Sequence, residues 1–166
     1  MNQELMDIVD RGKILMLRIA VCIVGITVLV SCIYWLPWQA NVFADMYPEF
    51  THLKYPLLIG IYMTAIPFFF ALFQVLKLLG YIDNNKAFSE LSITSIKYIK
   101  FCAITISAWY LAGIVTLISQ NARNPGILLI GLVIIFASIV IAVFATVLQK
   151  LCKNAVDIKS ENDLMI

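Results

Sequence analysis

Four long stretches without a charged side chain set the pattern of this sequence: Ile19–Leu36, Tyr55–Leu76, Phe101–Ala122 and Asn124–Gln149, of 18, 22, 22 and 26 residues. Lys54 and Lys77 bracket the second stretch, and Lys100 and Arg123 the third. A helix that crosses the hydrocarbon core of a bilayer needs roughly 20 apolar residues. Inside that core every backbone polar group must find its partner within the protein, so only helices or closed barrels span it. The short alternating segments of a barrel are absent, which leaves helices. The pattern predicts helices over about 14–36, 55–79, 90–119 and 125–155 and a cytoplasmic tail over 156–166. The expected fold is an all-α integral membrane protein: one domain, an antiparallel four-transmembrane-helix bundle.

Local signals refine these elements. Leu5, Ile8, Val9 and Gly12 share a helical face opposite Glu4, Asp7, Asp10 and Arg11, the pattern of a short interfacial helix; a frayed terminus is the competing reading. Gly80 is placed to end the second helix as a left-handed cap, and Asp83, Asn84 and Asn85 favour a turn. Ser89 suits the N-cap of the third helix, with Phe88 and Ile93 at the positions of a hydrophobic staple. Asn124-Pro125 reads as N-cap and first residue of the fourth helix. Pro67 lies within the second helix, where it removes a backbone bond that Thr64 or a neighbouring helix must make good. Between Pro37 and Lys54 a solvated outer loop is expected, although Asp45, Glu49 and His52 would share a face if it were helical and could then hold a metal. Ala108, Ala112 and Thr116, and separately Ser138, Ala142 and Thr146, repeat small residues every four positions. Such stripes let helices approach closely in lipid, so they are expected to face neighbours in the bundle, with a homodimer seam as the alternative.

Composition changes the picture in one respect. Hydrophobic residues make up 62% of the chain and charged ones 13%, with a mean hydropathy of +0.94, too apolar for a water-soluble domain, where about a quarter of residues are charged. Charge gives orientation. Ten basic residues (Arg11, Lys13, Arg18, Lys77, Lys86, Lys97, Lys100, Lys150, Lys153 and Lys159) fall on the side of the termini, and two, Lys54 and Arg123, on the other. The positive-inside rule puts both termini in the cytoplasm and the protein in the plasma membrane as a multi-pass chain. A cleaved lipoprotein signal ending at Cys32 fits poorly, because apolar "IYWLPW" follows it and acids precede it; Trp35 and Trp38 read better as an outer aromatic belt. Cys22, Cys32, Cys102 and Cys152 form no C-x-x-C pair and behave as small apolar residues.

None of the four stretches holds an acid, a base or a histidine, the residues that mark ion paths and intramembrane catalysis. Phosphate loops, H-E-x-x-H and nucleophile elbows are also missing. The expectation is a non-enzyme with no catalytic residue, metal or cofactor, whose partners are the bilayer and other proteins. Attention falls on two inner-face segments. The first is the loop Asp83, Asn84, Asn85 and Lys86, polar beyond what a turn requires. The second is the end of the chain, where Glu161, Asn162 and Asp163 precede Leu164, Met165 and Ile166. Apolar residues at the end of a polar tail suggest docking, on the protein's own inner face by preference or on a partner.

"DNNKAFSELS" and the terminal "ENDLMI" resemble a family of small bacterial four-span membrane proteins without an assigned activity, whose members often end in Glu-Asn-Asp-Leu-Thr-Ile. Met165 departs from that ending. Members are often encoded beside a small Cro/CI-type helix-turn-helix regulator, which implies that the membrane protein controls or anchors the regulator without itself binding nucleic acid. On that reading Asp83, Asn84, Asn85, Lys86, Glu161, Asn162, Asp163, Leu164 and Ile166 are the candidate partner-binding residues. Two other functions stay open: bacteriocin immunity or peptide export, which would use the outer loop with Trp38, Asp45, Glu49 and His52, and a structural or homo-oligomeric role in a membrane complex.

Overall fold

A computed structural model describes residues 2–121 and 124–165, without the side chains of residues 2, 3 and 5, so that Leu5, Arg123 and Ile166 fall outside the described side chains. The chain runs as α1 (Asn2–Val30), a π-helical turn (Ser31–Trp35), α2 (Leu36–Met46), a 3-10 turn (Pro48–Leu53), α3 (Lys54–Asp83), α4 (Glu90–Ser119) and α5 (Pro125–Leu164). These make four helical units long and apolar enough to cross a membrane: Met6–Met46, Pro48–Asp83, Glu90–Ser119 and Pro125–Leu164. The chain is an all-α multi-pass membrane protein. Packing follows chain order: α1 lies on α3, α3 on α4 and α4 on α5, the last pair sharing the largest interface.

The α4–α5 seam is built on a seven-residue repeat. Gly131, Ser138, Ala145 and Cys152 are the buried residues of α5. A strict repeat of seven keeps one stripe facing the partner when helices wind left-handed around each other. Each residue in the stripe is small, so the backbones come close without a hydrophobic driving force. At Gly131 an added β-carbon would stand 2.9 Å from Cδ1 of Ile114. Ile96 of α4 packs with Ala145 and Cys152, flanked by Leu78, Ile93 and Leu148. On α1, Gly25 takes the same part against α3, where a β-carbon would meet Leu72 Cδ2 at 2.6 Å.

Spacing of four misplaces the seam. Ala108, Ala112 and Thr116 are exposed, and of the second stripe Ser138 is buried, Ala142 half-buried and Thr146 exposed. The hydroxyls of Thr116 and Thr146 donate to their own helix, to the carbonyls of Ala112 (2.9 Å) and Ala142 (2.8 Å). Small residues that satisfy their polar atoms locally are as content against lipid as against a helix, so small size alone does not select a face.

The outer segment also departs from the expected loop. Residues 36–46 are helical, and the chain enters them through the π turn. Leu36 donates its N–H to the carbonyl of Ser31, five residues back. That spacing offers the Cys32 carbonyl to Pro37, which has no N–H to give. Tyr62 of α3 supplies the bond instead, its hydroxyl donating to Cys32 O at 2.8 Å. Helix α2 ends where Tyr47 takes φ −130° and ψ 75° before Pro48, as a residue preceding proline is driven to do. Lys54 Nζ then ties α3 back to Asn41 Oδ1 at 2.6 Å. Leu53 is buried against Leu117, with Phe50, Leu57 and Ile127 around it, and joins this end of the row. Asn124 caps α5 with Oδ1, accepting from the N–H of Gly126 (2.9 Å) and Ile127 (3.3 Å).

Within α3, the Thr64 hydroxyl donates to the Ile61 carbonyl at 2.7 Å, so it does not serve the Met63 carbonyl that Pro67 leaves. A 410 Å³ apolar hollow lies beside this proline, between Met63, Pro67, Phe70 and, on α4, Cys102, Thr105 and Trp109.

Candidate functional site at the end that carries both termini

The turn between α3 and α4 is fixed by its own hydrogen bonds. Helix α3 continues past Gly80 to Asp83, and Asn85, at φ 57°, takes the left-handed position. Lys86 N–H reaches the Tyr81 carbonyl (2.7 Å) and Asn85 N–H the Ile82 carbonyl (3.1 Å), the paired bonds of a Schellman cap. Gly80 is therefore inside the helix, and its bare backbone faces α1: a β-carbon there would lie 3.7 Å from Nη2 of Arg18. Ser89 is the N-cap of α4, its Oγ accepting from Ser92 N–H at 3.4 Å. The hydroxyls of Ser89 and Ser92 both donate to the Lys86 carbonyl, at 2.8 and 3.0 Å. Ser92 is fully buried, a position that sequence reasoning missed. Phe88 stays 61% exposed while Ile93 packs near Ile96 and Cys152, so the staple expected of this pair is not buried.

These bonds redefine the loop candidates. Asp83 Oδ2 accepts from Arg18 Nη2 at 3.2 Å, an ion pair joining α1 to α3 with both side chains about one-third exposed. Asn84 Nδ2 donates to the Gly80 carbonyl at 2.8 Å. Asn85 supplies the left-handed turn. Lys86 gives its backbone to the turn and keeps an exposed ammonium. Three of the four residues thus have a structural task, and Lys86 is the most available to a partner.

The end of the chain differs more. Helix α5 does not stop near Ala155 but continues to Leu164. Cys152 packs beside Ile93 and Ile96 in the first turns of α4, so the residues after Ala155 extend past the start of that helix, for about 13 Å at 1.5 Å per residue. Glu161, Asn162 and Asp163 are exposed, as are Leu164 (83%) and Met165 (87%). The expected docking of the end onto the protein's own inner face does not occur at the described residues; Ile166 lies outside them. Leu151, Ile158 and Met165, seven residues apart, form one exposed apolar stripe along the extension. The spacing of Leu151, Ala155 and Ile158 carried this signal in the sequence, hidden by the acidic residues that follow.

At the other edge of the row, α1 begins at Asn2 and passes Ile14 and Arg18 before its apolar stretch. Asp7, Asp10, Arg11 and Lys13 border a 380 Å³ polar hollow whose far wall is Ile82, Asp83 and Asn85. Among the described residues no three His, Cys, Asp or Glu side chains cluster to hold a metal ion.

Residues 38–166 match the profile of a family described as "Protein of unknown function (DUF2975)". The chain is also 54% identical over 159 residues, 95% of its own length and 99% of the other's, to the "Uncharacterized membrane protein YoaS" of Bacillus subtilis (strain 168). No solved structure matches. Long apolar helices, a family match over most of the chain and near full-length similarity to a bacterial membrane protein agree: this chain belongs to the DUF2975 family of bacterial membrane proteins.

Proposed function

We propose that this protein is a non-enzymatic membrane anchor and regulatory partner for a small cytoplasmic helix-turn-helix transcription regulator. The observation that carries the reading is the projecting end of α5, where Ile158, Leu164 and Met165 are exposed and no other element among the described residues covers them. Exposed apolar residues in water cost about 25 cal/mol per Å² of surface, and a partner groove removes that cost. Helix-in-groove docking reads such anchors at helical spacing. The basic bias toward the end with both termini supports its placement in the cytoplasm, where a DNA-binding protein would meet it. The likeness of "DNNKAFSELS" and "ENDLMI" to proteins encoded beside such regulators supplies the partner class.

The test is co-purification of a small helix-turn-helix regulator from the native host with the detergent-solubilised protein. Ile158→Asp and a truncation after Ala155 should abolish capture while membrane insertion persists. Capture at the wild-type level by both variants would overturn the reading. Bacteriocin immunity and peptide export gain no such surface. A structural role in a larger membrane assembly has one supporting observation, that α1 and α5 are packed on one side only.

A further inference from the structure

We propose that the hollow between α1 and the α3–α4 turn binds the headgroup of a phospholipid that carries both a phosphate and a primary ammonium. Its position is the first argument. Ile14 and Ile82 form its apolar side, five residues before the charge-free stretch of α1 begins at Ile19 and six after that of α3 ends at Leu76. The charged side chains lie beyond them, toward the termini. At 1.5 Å per residue the two isoleucines stand about 8–9 Å outside the hydrocarbon edge, the level of the headgroups. The outward face of α1 is apolar through the same level, with Ile8, Val9, Leu15 and Met16 all exposed, so lipid can approach the hollow from the side of that helix.

Its charges are the second argument. The hollow is bordered by both signs, and two ion pairs neutralise most of them. Arg18 holds Asp83 at 3.2 Å and Lys13 holds Asp10 at 3.5 Å. Asp7 and Arg11 have no ion-pair partner among the described residues. They stand four residues apart on α1, hence one turn apart on the same face. One unpaired carboxylate beside one unpaired guanidinium matches a headgroup with one ammonium beside one phosphate. Arg11 would receive the phosphate, which guanidinium binds with paired N–H donors. Asp7 would accept hydrogen bonds from the ammonium, which a quaternary choline cannot donate and a glycerol headgroup cannot replace with charge. Asn85, held in place by the Schellman cap, borders the same space.

The experiment is native mass spectrometry of the full-length protein released from mixed micelles containing phosphatidylethanolamine, phosphatidylglycerol and phosphatidylcholine in equal amounts. The wild-type protein should retain phosphatidylethanolamine about fivefold over either competitor, the upper range of an exposed ion pair. Asp7→Asn should erase the preference, and Asp7→Glu should keep it. Arg11→Gln should reduce retention of phosphatidylethanolamine and phosphatidylglycerol alike. Soluble phosphoethanolamine should not displace the lipid, because it lacks the glycerol and acyl groups that Ile14 and Ile82 would hold. Equal retention of the three lipids, an unchanged preference in a folded Asp7→Asn variant, or displacement by the soluble headgroup would each overturn the proposal.

Discussion

Asn85 shows how much a single residue decides at the α3–α4 turn. At φ 57° a β-carbon crowds the following carbonyl, at a cost of about 1–2 kcal/mol that glycine avoids and asparagine partly offsets. Asn85→Ala should therefore lower stability by about 1 kcal/mol and Asn85→Gly should not, measured as thermal unfolding in detergent. The sequence announced a turn here through Asp83, Asn84 and Asn85, but it pointed to Gly80 as the cap, because glycine is the usual left-handed residue. What it could not display is that α3 runs on past Gly80, which sits inside the helix beside the Arg18 guanidinium. Tyr62 carries a second prediction. Its hydroxyl serves the carbonyl that Pro37 leaves without a partner, so Tyr62→Phe should cost about 1 kcal/mol in the same assay, more than the equivalent change at exposed Tyr55. Nothing in the sequence connects Tyr62 to Cys32, 30 positions away.

At the scale of elements, the four spans were legible because bilayer thickness imposes a minimum apolar length, and their starts at Ser89 and Asn124 because capping chemistry is local. Helix faces were not legible. In water a polar side marks the outside of a helix, but in lipid both sides are apolar and hydropathy loses its direction. The useful signal was spacing: small residues every seventh position on α5, at Gly131, Ser138, Ala145 and Cys152. Gly131→Leu should accordingly weaken the α4–α5 seam by about 1–3 kcal/mol, because its side chain would enter the space held by Ile114. Ala112→Leu, on the exposed face of α4, should be tolerated. Comparing the two by unfolding in detergent separates the repeat of seven from the repeat of four. The helical nature of residues 36–46 and 156–164 was missed for related reasons. Pro37 is compatible with the first turn of a helix, and acidic residues near a C-terminus disfavour helix without forbidding it.

At the scale of the molecule, α5 is 40 residues and about 60 Å long, twice the thickness of a hydrocarbon core, so a large part of it must leave the membrane. With the end that carries both termini in the cytoplasm, a cysteine at Ser160 in a cysteine-free background should react with an impermeant maleimide only after cells are opened. One at Asp45 should react in intact cells. The reverse pattern would invert the topology. Of the residues singled out in the sequence, Glu161 to Leu164 are exposed and Lys86 keeps an exposed ammonium, whereas Asp83 and Asn84 are tied into the fold. Chain-order packing has a further consequence, in time. Each helix finds its packing partner in the one made just before it, α3 on α1, α4 on α3 and α5 on α4. A ribosome delivers segments in that same sequence, so each spanning helix after α1 emerges to a partner already made. Assembly can keep pace with synthesis, and the flanks this order leaves open are the free sides of α1 and α5.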